Sequence, residues 1–180
     1  MLPNVSKAIV ALSLSASALV LSPGAATASS SRVSDPVGDV NVTSTASQRQ
    51  QATVDITRVR YAVRNGRLII TTRVVDLART AGNQFMETEV GGGGSSFTLV
   101  STLGENPVRI ATGSNLYKCK NSRTLVRYGK DLVRQVVPVK CLEAETVRLK
   151  SASVLAKNNA SPIARDAARR SGTIELGATP

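Results

Sequence analysis

The chain has 180 residues but no histidine, no tryptophan, only two cysteines and only 3% aromatic residues. Without histidine the commonest general base is missing, and with it the Ser–His and Cys–His nucleophile systems. Gly-x-Ser-x-Gly and Ser-x-x-Lys are also absent beyond the first 28 residues, which removes the familiar serine-hydrolase arrangements. The scarcity of aromatic rings leaves no platform for stacking sugars or bases. Beyond residue 28 no apolar run is long enough to cross a bilayer. Paired carboxylates are therefore the one route to hydrolysis left open.

The first 28 residues have the layout of a secretory signal peptide. Lys7 supplies a basic start, an apolar run extends from Ala8 to Leu21, Ser22-Pro23-Gly24 breaks it, and Ala26-Thr27-Ala28 offers small residues for cleavage. This predicts a secreted, extracellular mature chain beginning at Ser29. Removing 28 residues from 180 leaves 152, the size of a single domain that buries about 68–70% of its unfolded surface. The 29–180 region is accordingly read as one domain.

In an exported chain, two lone cysteines point to a disulfide between Cys119 and Cys141. They lack Cys-x-x-Cys spacing, and without histidine they cannot complete a structural zinc site. The formal charge of the whole chain is +11. From Lys118 to Lys150 there are nine basic and three acidic residues, so basic character gathers around the cysteines. An acidic cell-wall polymer, phospholipid headgroups or extracellular nucleic acid would each complement that charge. Solubility alone would explain it equally well.

Short β-branched runs separated by turn residues predict an all-β fold, an antiparallel β-sandwich of about 7–9 strands. The clearest unit is a hairpin in which Asn65-Gly66 joins Val54–Val63 to Leu68–Asp76. A two-residue loop sets Arg64 against Arg67, Val63 against Leu68, Tyr61 against Ile70, Val59 against Thr72, Thr57 against Val74 and Asp55 against Asp76. All of these pairs after the first lie on one face, and the opposite face carries Arg58, Arg60, Arg64, Arg67 and Arg73, the candidate polyanion-binding residues. Further runs are Phe97–Leu103, Val108–Thr112, Leu125–Tyr128, Leu132–Val139 and Val147–Leu155, with short pieces near Val42 and Ile174. One short C-terminal helix is expected over Ser161–Arg170, with Pro162 at its first position and Gly172 beyond its end. Ser29–Ser31 reads as a frayed end and Ser44–Gln51 as a polar mobile loop. Gly91–Ser96 lacks the Gly-Lys-Ser/Thr ending of a phosphate loop and reads as a flexible connection.

The carboxylates form a pattern of their own. Asp35-Pro36-Val37-Gly38-Asp39 offers two acids and a glycine that permits a tight turn, and Asn41 adds an oxygen, which suits a small hard cation such as calcium. The expected register would place Asp55 and Asp76 about 4.5–5.5 Å apart at their Cβ atoms. Like charges so close need a cation, a shared proton or solvent. The candidate metal-ligating residues are thus Asp35, Gly38, Asp39, Asn41, Asp55 and Asp76. A simple turn with splayed ends is the competing reading.

The stretch Asp35-Pro36-Val37-Gly38-Asp39, Asp55-Ile56, Val75-Asp76-Leu77, Val137-Pro138-Val139-Lys140-Cys141-Leu142 and Asp166-Ala167 resembles a set of small secreted proteins of actinobacteria. The opening turn and following hairpin are also similar to the calcium-binding turn of DOMON-like β-sandwiches related to carbohydrate-binding module family 9. That resemblance implies a structural calcium near Asp35, Asp39 and Asp55. The chain differs from the sugar-binding relatives in having no tryptophan.

Together these features predict a non-enzymatic, calcium-stabilised binding or structural module at the cell surface. Polyanionic polymers would be its partners and sequence-specific nucleic acid would not. The alternative is a small carboxylate-dependent hydrolase that uses Asp55 and Asp76.

Overall fold

The Asn65-Gly66 turn organises one half of the molecule. In the computed structural model, which describes residues 29–43, 46–79, 83–92, 94–157 and 162–177, Asn65 has φ +50° and Gly66 φ +65°. These are the left-handed values that a type I′ turn demands and that Asn-Gly adopts readily. The turn joins β3 (Ile56–Arg64) to β4 (Arg67–Val74). The signal segment Met1–Ala28 lies outside the described residues.

The remaining elements are β1 (Ser30–Ser34), β2 (Asn41–Val42), α1 (Gln48–Val54), β5 (Asn83–Gly92), β6 (Ser95–Thr102), β7 (Arg109–Thr112) and β8 (Asn115–Lys118). They continue as β9 (Arg123–Arg127), β10 (Leu132–Pro138), β11 (Thr146–Ala156), β12 (Pro162–Ala167) and β13 (Ile174–Glu175). Every strand pairing is antiparallel. A five-stranded sheet has the order β1-β3-β4-β10-β9, and an eight-stranded sheet has the order β2-β12-β11-β5-β6-β7-β8 with β13 beside β11. The described residues thus hold thirteen strands, where seven to nine were expected.

One hydrophobic cluster takes Val59, Tyr61, Ile70 and Val133 from the first sheet and Val90, Leu99 and Leu149 from the second. A chain of buried polar groups crosses between the same two sheets. Tyr61 Oη donates to Ser151 Oγ at 3.1 Å, Ser151 and Thr88 share a bond of 2.9 Å, and Thr88 Oγ1 donates to Gln135 Oε1 at 3.1 Å. Gln135 Nε2 donates on to Ser101 Oγ at 2.7 Å. A satisfied network of this kind fixes the alignment of its two layers, because any other alignment strands buried polar groups. Tyr61→Phe removes one link yet leaves Ser151 its bond to Thr88. It should cost about 1 kcal/mol, read as a lower urea midpoint at unchanged m-value.

Pro162–Ala167 is strand β12 where the C-terminal helix was expected, with Ser161 outside the described residues. Local cap signals lost to tertiary pairing: Ala164 and Asp166 are buried, and the strand bonds along β11. A helix lies instead at Gln48–Val54, beginning in the Ser44–Gln51 stretch read as a mobile loop and ending on Val54, read as the start of the first hairpin strand; Ser44 and Thr45 lie outside the described residues. Ser47 and Gln50 close a capping box there, with bonds of 2.9 and 3.3 Å. The supposedly frayed Ser30 and Ser31 pair with Ala62 and Tyr61. Gly91 and Gly92 pair with Ser96 and Ser95 in a β5–β6 hairpin rather than a flexible connection, although Gly93 lies outside the described residues. At Gly92 a Cβ would overlap the Thr146 carbonyl, so the close approach requires glycine.

The β3–β4 register holds from Arg64–Arg67 as far as Arg58–Arg73 and then shifts. A bulge at Thr57 pairs Ile56, not Thr57, with Val74. The physical reason is apolar burial: the bulge carries Ile56 into the core at 0% exposure and leaves Thr57 half-buried. Asp55 therefore does not lie across from Asp76.

Candidate functional site

Two features of the sheets carry chemistry, an acidic cluster at one end and an arginine surface on one face. The cluster begins where β1 runs out. The Asp35 N–H donates to the Thr57 carbonyl at 3.2 Å, and the following turn passes through Gly38 at φ +88°, a conformation open chiefly to glycine. Gly38 N–H then donates to Asp55 Oδ2 at 2.8 Å, which holds the turn against the start of β3.

Asp166 arrives from the other sheet. Its Oδ2 accepts from Ile56 N–H at 2.6 Å and its Oδ1 accepts from Ala167 N–H at 2.6 Å. Carboxylate oxygens of Asp35, Asp39 and Asp166 all lie within 4.8 Å of one another. Asp55 and Asp166 are 5% and 4% exposed. Asp35 Oδ2 and Asp55 Oδ1 are buried and accept no hydrogen bond among the described residues. Two unpartnered anionic oxygens inside such a group are costly unless a positive charge or a proton reaches them.

The electrostatics follow from this crowding. Burial, and then the charges of Asp166 and Asp39, push the Asp35 carboxyl up to about 6, against the pull of Arg169. Burial raises Asp55 as well, opposed by the Gly38 N–H, and raises Asp166, opposed by the N–H groups of Ile56 and Ala167. Such a group takes up a proton in mildly acidic solution, Asp35 at about 6, and its oxygens suit a hard cation.

Of the residues singled out from sequence, Asp35, Gly38, Asp39 and Asp55 meet here. Asn41 is exposed on β2 opposite Arg165, the chain neighbour of Asp166. Asp76 is exposed, and its backbone N–H donates to the Ala52 carbonyl at 3.1 Å. The cross-strand carboxylate pair on which the hydrolase reading rested does not form. Asp166 was not singled out from sequence as a member of this cluster because it sat inside the expected helix. The pairing of β12 is what turns it inward.

The second feature is the outer face of the five-stranded sheet. All five expected arginines lie on it and are exposed: Arg58, Arg60 and Arg64 on β3, Arg67 and Arg73 on β4. The register adds Arg32 of β1 opposite Arg60, Arg134 of β10 opposite Thr71, and Arg123 and Arg127 of β9 opposite Val136 and Leu132. Among the described residues, nine arginines thus share one face whose strand positions contain no carboxylate. Arg32–Arg60, Arg58–Arg73 and Arg64–Arg67 are like charges directly opposite each other, an unfavourable arrangement. Arg60, Arg64 and Arg134 surround a shallow basin of about 120 Å³ that also touches Ala62, Ile69 and Thr71.

Elsewhere the same chain neutralises its charges. Arg165 and Arg170 pair with Glu87 and Glu89 of β5 at 3.4 Å, and Arg109 pairs with Glu105 at 3.8 Å. Among the described residues, none of the nine sheet arginines has such a carboxylate partner. No described helix is long and apolar enough to cross a membrane.

Compared with known proteins, the chain matches no family model, and no curated protein matches it.

Proposed function

We propose that this chain is a secreted β-sandwich module, stabilised by calcium, that binds polyanionic polymers at the cell surface through the outer face of its five-stranded sheet. The observation that carries this reading is the acid-free arginine face. A surface kept only for solubility gains nothing from like charges set directly opposite one another, whereas guanidinium forks match phosphate and carboxylate in plane and charge. The signal-like start and the Cys119–Cys141 disulfide, with its Cα atoms 6.1 Å apart, support an exported protein.

Calcium enters the proposal through Asp35, Asp39, Asp55 and Asp166, as the resemblance of the opening turn to DOMON-like sandwiches also implies. Asp35 follows β1 and Asp55 precedes β3, whereas Asp166 belongs to β12, so a cation among them would clasp the two sheets at one end. Its task there is structural, and it leaves the arginine face free for partners.

The test is retention on an immobilised glycerol-phosphate polymer at 50 mM salt, with a neutral glucan as control. Retention on the phosphate polymer alone, and release by 200 mM salt, is the expected result. Where about three phosphates are neutralised, the affinity falls about fortyfold across that range. Equal retention on the neutral glucan, or indifference to salt, would overturn the reading.

A further inference from the structure

The two sheets differ in width, and the difference exposes an inner surface. Leu99 of β6, Ile110 of β7 and Tyr117 of β8 are register partners in one row across the eight-stranded sheet, on the side of the core. Leu99 is fully buried, Ile110 half-buried and Tyr117 54% exposed. The five-stranded sheet ends at β9, and among the described residues none of its strands lines the groove beside β7 and β8. What lies there instead is the Cys119–Cys141 disulfide and the turn that ends in Leu142. Between them is a groove of about 530 Å³, within the range of about 300–1,000 Å³ typical of small-molecule sites.

We infer that this groove binds a single-chain anionic amphiphile, an extended acyl chain that bears one carboxylate or phosphate. Phe97, Ile110, Leu142 and the disulfide give an apolar lining, in which Ile110 and Tyr117 are register partners one strand spacing, about 5 Å, apart. Such an apolar strip with lysines at its rim suits an alkyl chain that ends in an anionic group. Lys118 and Lys120 border the groove, and neither forms an ion pair with a carboxylate among the described residues. Glu143 also reaches it and opposes an anion, so the net charge at the rim is positive. The site lies at the edge of the eight-stranded sheet remote from β12 and the acidic cluster. It is independent of both the calcium and the polyanion readings.

Calorimetric titration of the disulfide-intact protein with monomeric dodecanoate, below its micelle concentration, tests the inference. Saturable one-to-one binding is expected, with decanoate weaker by up to about fourfold for each methylene removed. Dodecanol should bind at least tenfold more weakly than dodecanoate. Lys118→Gln with Lys120→Gln should weaken dodecanoate about tenfold, and Glu143→Gln should tighten it. Thr112→Trp, at an exposed lining position, should fill the groove and abolish binding while the melting temperature stays unchanged. No saturable heat, or undiminished binding by a folded Thr112→Trp protein, overturns the inference. Binding to phosphatidylglycerol vesicles without binding to monomeric dodecanoate also overturns it, in favour of attachment to a lipid surface.

Discussion

A chelator should lower the melting temperature of this protein, and 10 mM calcium should raise it again by about 3–10 °C. Extracellular calcium sites bind at about 10⁻⁴–10⁻³ M, so 10 mM ligand stabilises the native state by about 1.4–2.7 kcal/mol through mass action. Each kcal/mol moves the midpoint of a domain this size by about 2–4 °C. Asp166→Asn should abolish the calcium response, and Asp76→Asn, an exposed position outside the cluster, should leave it intact. Proton linkage adds a second signature. Asp35, Asp55 and Asp166 all have folded-state pKa values raised above their unfolded values, Asp35 to about 6. The native state therefore holds protons that the unfolded chain has released, and the metal-free protein loses stability as pH rises from about 4 through about 6. Calcium competes with those protons, so its stabilising effect should be large at pH 7 and small at pH 4.5. Scanning calorimetry with and without chelator at the two pH values reads both effects, and a melting curve indifferent to calcium at pH 7 leaves the Asp35–Asp39 stretch as a turn only.

Loss of the disulfide should be the most damaging covalent change. Cys119 follows β8 of the eight-stranded sheet, and Cys141 ends the turn after β10 of the five-stranded sheet. The bond ties the two sheets at the side remote from the acidic cluster. The 22-residue separation encloses all of β9 and β10, so its removal frees the unfolded chain and loosens the arginine sheet together. Cys119→Ser with Cys141→Ser should cost about 2–5 kcal/mol in guanidinium unfolding. Amide exchange should accelerate first across residues 123–138. A cost below about 1 kcal/mol, with exchange there unchanged, would show that the bond is not a clasp between the sheets.

Much of this arrangement was legible in the sequence, and the reasons for the misses are specific. The Asn65-Gly66 hairpin and its five outward arginines were readable because turn chemistry fixes register and register fixes faces. The disulfide followed from counting cysteines. Strand β5 was hidden because its inward positions include Gln84 and Thr88, polar residues that serve the buried hydrogen bonds and blur the alternation of a strand. The bulge at Thr57 was hidden because only the core decides whether Ile56 or Thr57 turns inward. Asp166 was obscured by local helix signals around Pro162 and Gly172, which a long-range pairing overrode. Arg123, Arg127 and Arg134 were visible as residues, but nothing local placed β9 and β10 on the same sheet as β3 and β4. The capping box at Ser47 and Gln50 was a local signal and was available to find α1.

The arginine face is the centre of the functional account, and the salt dependence of polymer binding tests it most directly. Titration of a glycerol-phosphate polymer at several salt concentrations between 50 and 200 mM gives the slope of log affinity against log salt. Arg60→Gln, Arg64→Gln and Arg134→Gln combined remove the three guanidinium groups around the basin while leaving buried residues untouched. A folded variant is expected whose affinity is lower and whose slope is shallower by up to about 0.9 for each phosphate no longer neutralised. An unchanged slope and affinity in that variant would contradict this reading of the face.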